Sequence, residues 1–184
     1  AQQSRWFKNR RFDQVDFKGH FVKQADAAPG QFRIPPKEVE EMLPRQLLML
    51  EAADQALQDA GLKKEDLLFT GVFIGAGLDL NATNFSVRWG MQTFAGRWAE
   101  QLGATLTDAE LQAWIAALRD AAGPALSANR VMGALGSIVA SRVAKEFRVG
   151  GPSFTLCSED NSGLRALEVG VRALQEGSIN RAIV

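Results

Sequence analysis

Residues 151–167 read Gly-Pro-Ser-Phe-Thr-Leu-Cys-Ser-Glu-Asp-Asn-Ser-Gly-Leu-Arg-Ala-Leu, and this stretch decides the fold. Its first two residues predict a turn, and residues 153–156 predict a short strand. The apolar spacing that follows predicts an amphipathic helix over Ser162–Gln175. Residues 158–161 therefore lie at a helix N-terminus, where unpaired N–H groups and the helix dipole favour an anion such as a nucleophilic thiolate.

The rest of the chain alternates helices and strands. Residues 67–75 are apolar on both faces, as in a buried strand. Residues 44–60 carry apolar side chains at helical spacing, with Pro44 at the start of this predicted helix and Gly61 just after its end. Residues 107–110, Thr-Asp-Ala-Glu, have the pattern of a helix capping box. Small side chains recur over residues 127–147, which predicts a helix that another backbone approaches closely. This alternation predicts an α/β layered fold.

Two further expectations concern the C-terminal part of the chain. The large apolar side chains of its predicted helix are expected to point inward, namely Leu164, Leu167, Val171 and Leu174. Residues 181–184 begin another strand, in which the sequence stops. Because an unpaired apolar strand leaves backbone groups without partners, we expect the sequence to be a fragment of a larger domain.

The composition argues against several classes of function. The 184 residues include 21 basic and 21 acidic side chains, so no net field attracts nucleic acid, and 46% are hydrophobic, as in a globular domain. Cys157 and His20 are the only residues of their types, so we expect no disulfide, no metal site and no catalytic role for His20. The sequence contains no apolar stretch long enough for a membrane span and no recognisable secretory leader, so a cytoplasmic protein is expected.

The turn-strand-helix stretch resembles the active-site segment of the β-ketoacyl synthase family. The family's segment reads Gly-Pro-Ser-Val-Thr-Val-Asp-Thr-Ala-Cys-Ser-Ser-Ser-Leu-Val-Ala-Leu and aligns with residues 151–167 without a gap. The family's nucleophilic cysteine falls on Asp160, its alanine on Glu159 and its aspartate on Cys157.

Two other segments carry the same resemblance. Residues 42–51 are similar to the family's Met-Asp-Pro-Gln-Gln-Arg-Leu-Leu-Leu-Glu, and residues 71–75 to its Gly-Val-Phe-Val-Gly strand. The resemblance implies the N-terminal half of a thiolase-like layered α-β-α fold over residues 37–184, truncated at its C-terminal end. A basic and aromatic arm at residues 1–36 precedes it. The resemblance also implies that the family's pair of histidines, which activates malonyl groups, lies beyond this sequence.

A narrower resemblance concerns residues 32–38 and 77–85. They look most like the cysteine-less, chain-length-factor-like domain of polyunsaturated fatty acid and polyketide-type synthases. This implies a non-catalytic partner of an active ketosynthase, acting on acyl groups that the phosphopantetheine of an acyl carrier protein holds, with no cofactor of its own. The partner domain would complete a pseudo-two-fold dimer, with an interface at Ser153, Phe154, Thr155 and Leu156.

The residue at the nucleophile position decides between this interpretation and its alternative. A carboxylate is a poorer nucleophile than a thiolate and would form a labile anhydride, so we do not expect Asp160 to hold an acyl group. At a helix N-terminus it is expected to stay anionic and to repel a malonyl carboxylate. Cys157 is expected to be a buried, inert thiol. The alternative is an active, carbon–carbon-forming acyltransferase with unusual chemistry at Asp160 or Cys157.

Overall fold

The computed structural model describes Val22 and residues 25–63, 67–77 and 83–184. His20 and most of the arm predicted at residues 1–36 lie outside the described residues. In chain order, the described residues form the helices α1 (Pro36–Glu41) and α2 (Pro44–Asp59), the strand β1 (Thr70–Gly75), the helices α3 (Thr83–Gln101), α4 (Asp108–Ala122), α5 (Ala128–Ala134) and α6 (Ile138–Phe147), the strand β2 (Ser153–Leu156), the helix α7 (Ser162–Gln175) and the strand β3 (Arg181–Ile183).

β1 is the central strand of a three-stranded sheet with the order β2-β1-β3. Both neighbours run parallel to β1, so each crossover passes through helices, as parallel pairing requires. β3 is paired with β1 along one edge. The predicted strand at residues 181–184 is therefore confirmed, although it is paired with β1 rather than unpaired.

Helices cover both faces of the sheet. The alternation of β1 side chains directs Val72 and Ile74 into a core that they share with residues of α2 and α6. Phe73 points to the other face and packs against Ala166 of α7 and Ile179. The result is a layered α-β-α arrangement, so the predicted fold class is confirmed.

The helix bounds that rest on end signals in the sequence are confirmed. α2 has Pro44 in its first turn and is followed by Gly61, whose φ of 63° lies in the left-handed region that ends helices. α4 begins at the predicted capping box, in which Glu110 N donates to Thr107 Oγ1 at 3.4 Å and Thr107 N donates to Glu110 Oε2 at 2.8 Å.

Two predicted elements have different bounds in the structure. β1 begins at Thr70 because residues 67–69 form a turn instead of the first part of the strand. Residues 127–147 form α5 and α6 rather than one helix, because Leu135 takes an extended conformation that ends α5. The predicted close approach is confirmed, since a Cβ on Gly133 would lie 2.5 Å from the Cα of Met42.

The inward face of α7 was predicted wrongly. Leu164 is 70% exposed, and Leu167, Val171 and Leu174 are exposed as well. The face against the sheet consists of small residues instead, with Ser162, Ala166 and Gly170 buried. The helix lies too close to the sheet for larger side chains, because a Cβ on Gly170 would already be 3.0 Å from a methyl of Val184.

Candidate functional site

Residues 157–161 form a tight turn between β2 and α7. Asp160 is exposed in this turn, and Glu159 directly before it has a left-handed backbone with φ 49°. Such a conformation is uncommon for a residue with a side chain and persists where neighbouring contacts impose it. Ser158 and Asp160 form an isolated β-bridge, and α7 begins at Ser162. The helix N-terminus is therefore where the sequence predicts it.

The hydroxyl of Ser162 ties the turn together. Ser162 is 5% exposed. Its Oγ accepts a hydrogen bond from the Ser158 N–H at 2.9 Å and donates one to the Glu159 carbonyl at 2.6 Å. Asn161 N also donates to the Ser158 carbonyl at 3.0 Å. These bonds account for the left-handed backbone at Glu159 without any contact from the side chain of Asp160.

The C-terminal end of β1 supports the turn from behind. A Cβ on Gly75 would lie 2.5 Å from the carbonyl carbon of Ser162, so a residue with a side chain does not fit there. Ala76 N donates to the Leu156 carbonyl at 2.9 Å, which holds the ends of β1 and β2 together. The start of α7 is thus seated directly on the edge of the sheet where both strands end.

Cys157 lies in the same turn, and its environment differs from the expectation. The side chain is exposed, so the prediction of a buried thiol is wrong. The strand β2 ends at Leu156, one residue earlier, so Cys157 no longer packs between sheet and helix. Exposure makes this thiol accessible to reagents. The expectation that it is inert stays a prediction.

The residues predicted as interface form β2, which is an edge strand of the described sheet. Phe154 is 41% exposed and also contacts the Phe73 ring edge-to-face at a centroid distance of 5.1 Å. Val72 N donates to the Pro152 carbonyl and Ala76 N to the Leu156 carbonyl. By the two-residue repeat of a parallel ladder, the N–H groups of Ser153 and Thr155 therefore point away from β1.

Sequence reasoning missed a buried glutamine that supports this region. Gln46 is 1% exposed, and its Nε2 lies 2.9, 2.7 and 3.3 Å from the carbonyls of Met132, Gly133 and Leu135. The signal was present, because Gln46 lies four residues before Leu50 and so falls on the buried face of α2. A polar residue on a buried face indicates a specific hydrogen-bonding role.

Two further side chains, Thr155 and Arg45, donate hydrogen bonds to backbone carbonyls near this region. Thr155 Oγ1 donates to the Gly136 carbonyl at 3.2 Å, which links β2 to the segment between α5 and α6. Arg45 Nη1 donates to the Gly77 carbonyl at 2.8 Å, beyond the end of β1. The strand that carries the predicted interface is therefore hydrogen-bonded, through Gly136, to the segment that Gln46 holds.

The part of the chain that the structure describes also bears on other kinds of site. Its His, Cys, Asp and Glu residues form no group of three that could hold a metal ion. None of its helices combines the length and the apolar character needed to cross a membrane. An open cleft of about 1100 Å³ lies beside the junction of α1 and α2, lined by the end of α4, but residues 153–162 do not contribute to it.

Comparison with known proteins identifies the family. Residues 2–184 match the family described as Beta-ketoacyl synthase, N-terminal domain. The chain belongs to the β-ketoacyl synthase family. This β-ketoacyl synthase domain is 25% identical over 166 residues to a polyunsaturated fatty acid synthase protein of Thraustochytrium sp., covering 90% of the chain and 7% of that protein. It is 29% identical over 171 residues to erythronolide synthase EryA2 of Saccharopolyspora erythraea, covering 92% of the chain and 4% of that protein.

Solved structures agree with the family assignment. The oxazolomycin ketosynthase domain OzmH KS7 of Streptomyces albus JA3453 matches with a TM-score of 0.54 and 26% identity, over 88% of this chain and 22% of that one. A ketosynthase from the bacillaene synthase of Bacillus amyloliquefaciens matches with a TM-score of 0.51 at 19% identity, over 82% of this chain and 20% of that one, which supports the fold. The resemblance to the β-ketoacyl synthase family and the thiolase-like fold are therefore confirmed.

Proposed function

We propose that this β-ketoacyl synthase domain is a non-catalytic, chain-length-factor-like partner of an active ketosynthase in fatty acid or polyketide biosynthesis. The observation that carries the proposal is the exposed carboxylate of Asp160 in a well-formed turn at the position of the family's nucleophile. The hydroxyl of Ser162 holds the turn in place, yet the side chain that the turn presents is the wrong one for acyl transfer. Condensation would then occur on the partner.

The chemistry of the carboxylate supports a role without catalysis. An acyl group taken up by Asp160 would form an anhydride, which water cleaves readily, whereas a thiolate forms a stable thioester. The carboxylate belongs to a residue two positions before the first residue of α7. A second anion, such as the carboxylate of a malonyl group, is repelled there. We therefore infer that Asp160 neither holds an acyl chain nor assists decarboxylation.

The domain's partners follow from the same proposal. The acyl chain would arrive on the phosphopantetheine of an acyl carrier protein in the cytoplasm, with no cofactor bound by the domain itself. Residues 37–184 would be the N-terminal half of the condensing fold, truncated at its C-terminal end, and residues 1–36 an arm in front of it. The family's histidine pair would lie in the other half.

Mass spectrometry of the full-length protein tests the absence of acyl transfer. After incubation with acyl-loaded carrier protein, we expect no stable adduct on the peptide that contains Asp160. An active ketosynthase treated in parallel supplies the positive control. An acyl group recovered at position 160 would contradict the proposal.

The exposed thiol favours a second candidate function, in which the domain is itself an active acyltransferase and Cys157 accepts the acyl group. The same experiment separates the two functions, because an adduct on Cys157 that disappears in Cys157→Ser would support the enzyme. Iodoacetamide labelling gives an independent measure. Modification of Cys157 much faster than that of a free thiol would favour this candidate, whereas ordinary reactivity would favour the non-catalytic partner.

The open edge of β2 supports the proposed dimer interface. The backbone N–H groups of Ser153 and Thr155 face away from β1 and are available to a strand of the partner domain. Thr155→Pro removes one such donor and also the hydroxyl that reaches Gly136. Thr155→Val is the matched control, since it loses only the hydroxyl. We expect gel filtration to show loss of the complex for the proline variant alone, and an unchanged complex would argue against this interface.

A further inference from the structure

We propose that Ser162 is a positioning residue, whose buried hydroxyl fixes the direction in which the backbone presents the side chain of residue 160. The proposal rests on the assignment of residue 160 to the nucleophile position and deepens the proposed function. It concerns the geometry of that position rather than the chemistry of the residue that occupies it.

Ser162 donates two hydrogen bonds to the Glu159 carbonyl. Both the hydroxyl and the backbone N–H of Ser162 donate to it, at 2.6 and 3.2 Å. Because a peptide unit is planar, with C=O and N–H on opposite sides, the N–H of Asp160 must point away from Ser162. The orientation of the peptide that leads into residue 160 is thereby set.

A hydrogen bond from Ser158 fixes the start of the turn. The Ser158 N–H donates to the same hydroxyl at 2.9 Å, so one oxygen joins the first part of the turn to the peptide after Glu159. A left-handed residue with a side chain relaxes to an extended or helical conformation unless such contacts oppose it. Loss of the hydroxyl would release both contacts at once.

Ser162 itself has a fixed position. Behind it, Gly75 leaves no room for even a Cβ, which would lie 2.5 Å from the Ser162 carbonyl carbon. Ser162 is therefore held between the end of β1 and the turn. Every contact in this arrangement uses atoms outside the side chain of residue 160, so the direction is retained when that side chain is exchanged.

A thiol at position 160 reports on this geometry. In full-length protein carrying Cys157→Ser, which removes the exposed native thiol, Asp160→Cys places a single probe in the turn. Held at the helix N-terminus, the new thiol should have a pKa below the ordinary value, and iodoacetamide should alkylate it readily at pH 7. Adding Ser162→Ala should shift the pH dependence of the alkylation rate upward by about half a pH unit. At pH 7 this shift is roughly a threefold loss of rate.

Two variants separate positioning from general damage. Ser162→Thr keeps the hydroxyl and should restore more than about half of the rate. Gly163→Ala changes the neighbouring residue of the same turn of helix, where a Cβ meets no atom within 4 Å, and should leave the profile unchanged. Superimposable profiles for the Ser162→Ala variant and its parent would overturn the proposal.

Hydrogen exchange of the unmodified protein tests the proposal without substitution. The Ser158 amide should exchange at least about tenfold more slowly than an unprotected amide, because it is bound to a buried hydroxyl. Exchange at the unprotected rate would also overturn the proposal. Acyl loading of the native protein is independent of both measurements, so failure of the positioning role and failure of the proposed function can be told apart.

Discussion

Replacing Gln46 tests how strongly a single buried amide supports the region next to the candidate site. Gln46→Met keeps the length of the side chain and removes its donors. The Gly133 carbonyl retains a hydrogen bond from Leu43 N, and the Leu135 carbonyl retains one from Ile138 N. Among the described contacts, the Met132 carbonyl depends on Gln46 alone.

Gln46→Met leaves one buried acceptor without a donor, but it also removes Gln46 Oε1, which is buried with no hydrogen-bond partner among the described residues, so the expected net cost is about 1–2 kcal/mol. For a urea m-value of about 2 kcal/mol/M, the midpoint of unfolding should fall by about 0.5–1 M. Gln46→Glu should be worse at neutral pH, because it places a carboxylate against three carbonyl oxygens. The assay is urea denaturation of the full-length protein. The unfolding of this domain is monitored by a signal that reports on it alone.

Gln58→Met on the same helix is the matched control. Gln58 is exposed, and its Nε2 donates to Asp54 at 2.9 Å. Water can replace that bond, so the control should lie within about 0.5 kcal/mol of the parent protein. If Gln46→Met is no more destabilising than this control, the carbonyls of α5 do not depend on the amide and our account of the segment is incorrect.

Two further substitutions test the packing and the electrostatics. Gly75→Ala should destabilise the protein by about 1–3 kcal/mol in the same assay, because its Cβ meets the backbone of Ser162, whereas Gly163→Ala should change stability by less than about 0.5 kcal/mol. Hydrogen bonds from Thr107 hold the pKa of Glu110 below its ordinary value. Its contribution is therefore present at neutral pH and lost as the pH falls through the folded-state pKa, so Glu110→Gln should reduce the difference in melting temperature between neutral and acidic buffer. An equal pH dependence in that variant and its parent would contradict the role of Glu110.

Local signals in the sequence predicted much of the fold and the place of the candidate site. Pro44 and Gly61 bracket α2, and Thr107 with Glu110 starts α4, because helix ends depend on a few neighbouring residues. The start of α7 at Ser162 was predicted from the apolar spacing of that helix. The family assignment followed from ungapped flanks on both sides of the turn before Ser162.

The errors concern properties that depend on distant parts of the chain. α7 carries both large and small residues at helical spacing, and only its distance from the sheet decides that Gly170 faces inward and Leu164 outward. Cys157 lies one residue past the end of β2, and its exposure depends on where that strand stops. Gln46 finds its acceptors 86 to 89 residues away, which no local pattern reveals.

The outward face of α7 has a practical consequence for protein production. Its large side chains form a row that is open to water in residues 1–184, and exposed rows of this kind drive self-association. A preparation of these residues alone is therefore expected to precipitate as its concentration rises, even if every molecule in it is correctly folded. A polar replacement at the most exposed position, such as Leu164→Glu, should keep such a preparation dispersed at higher concentration.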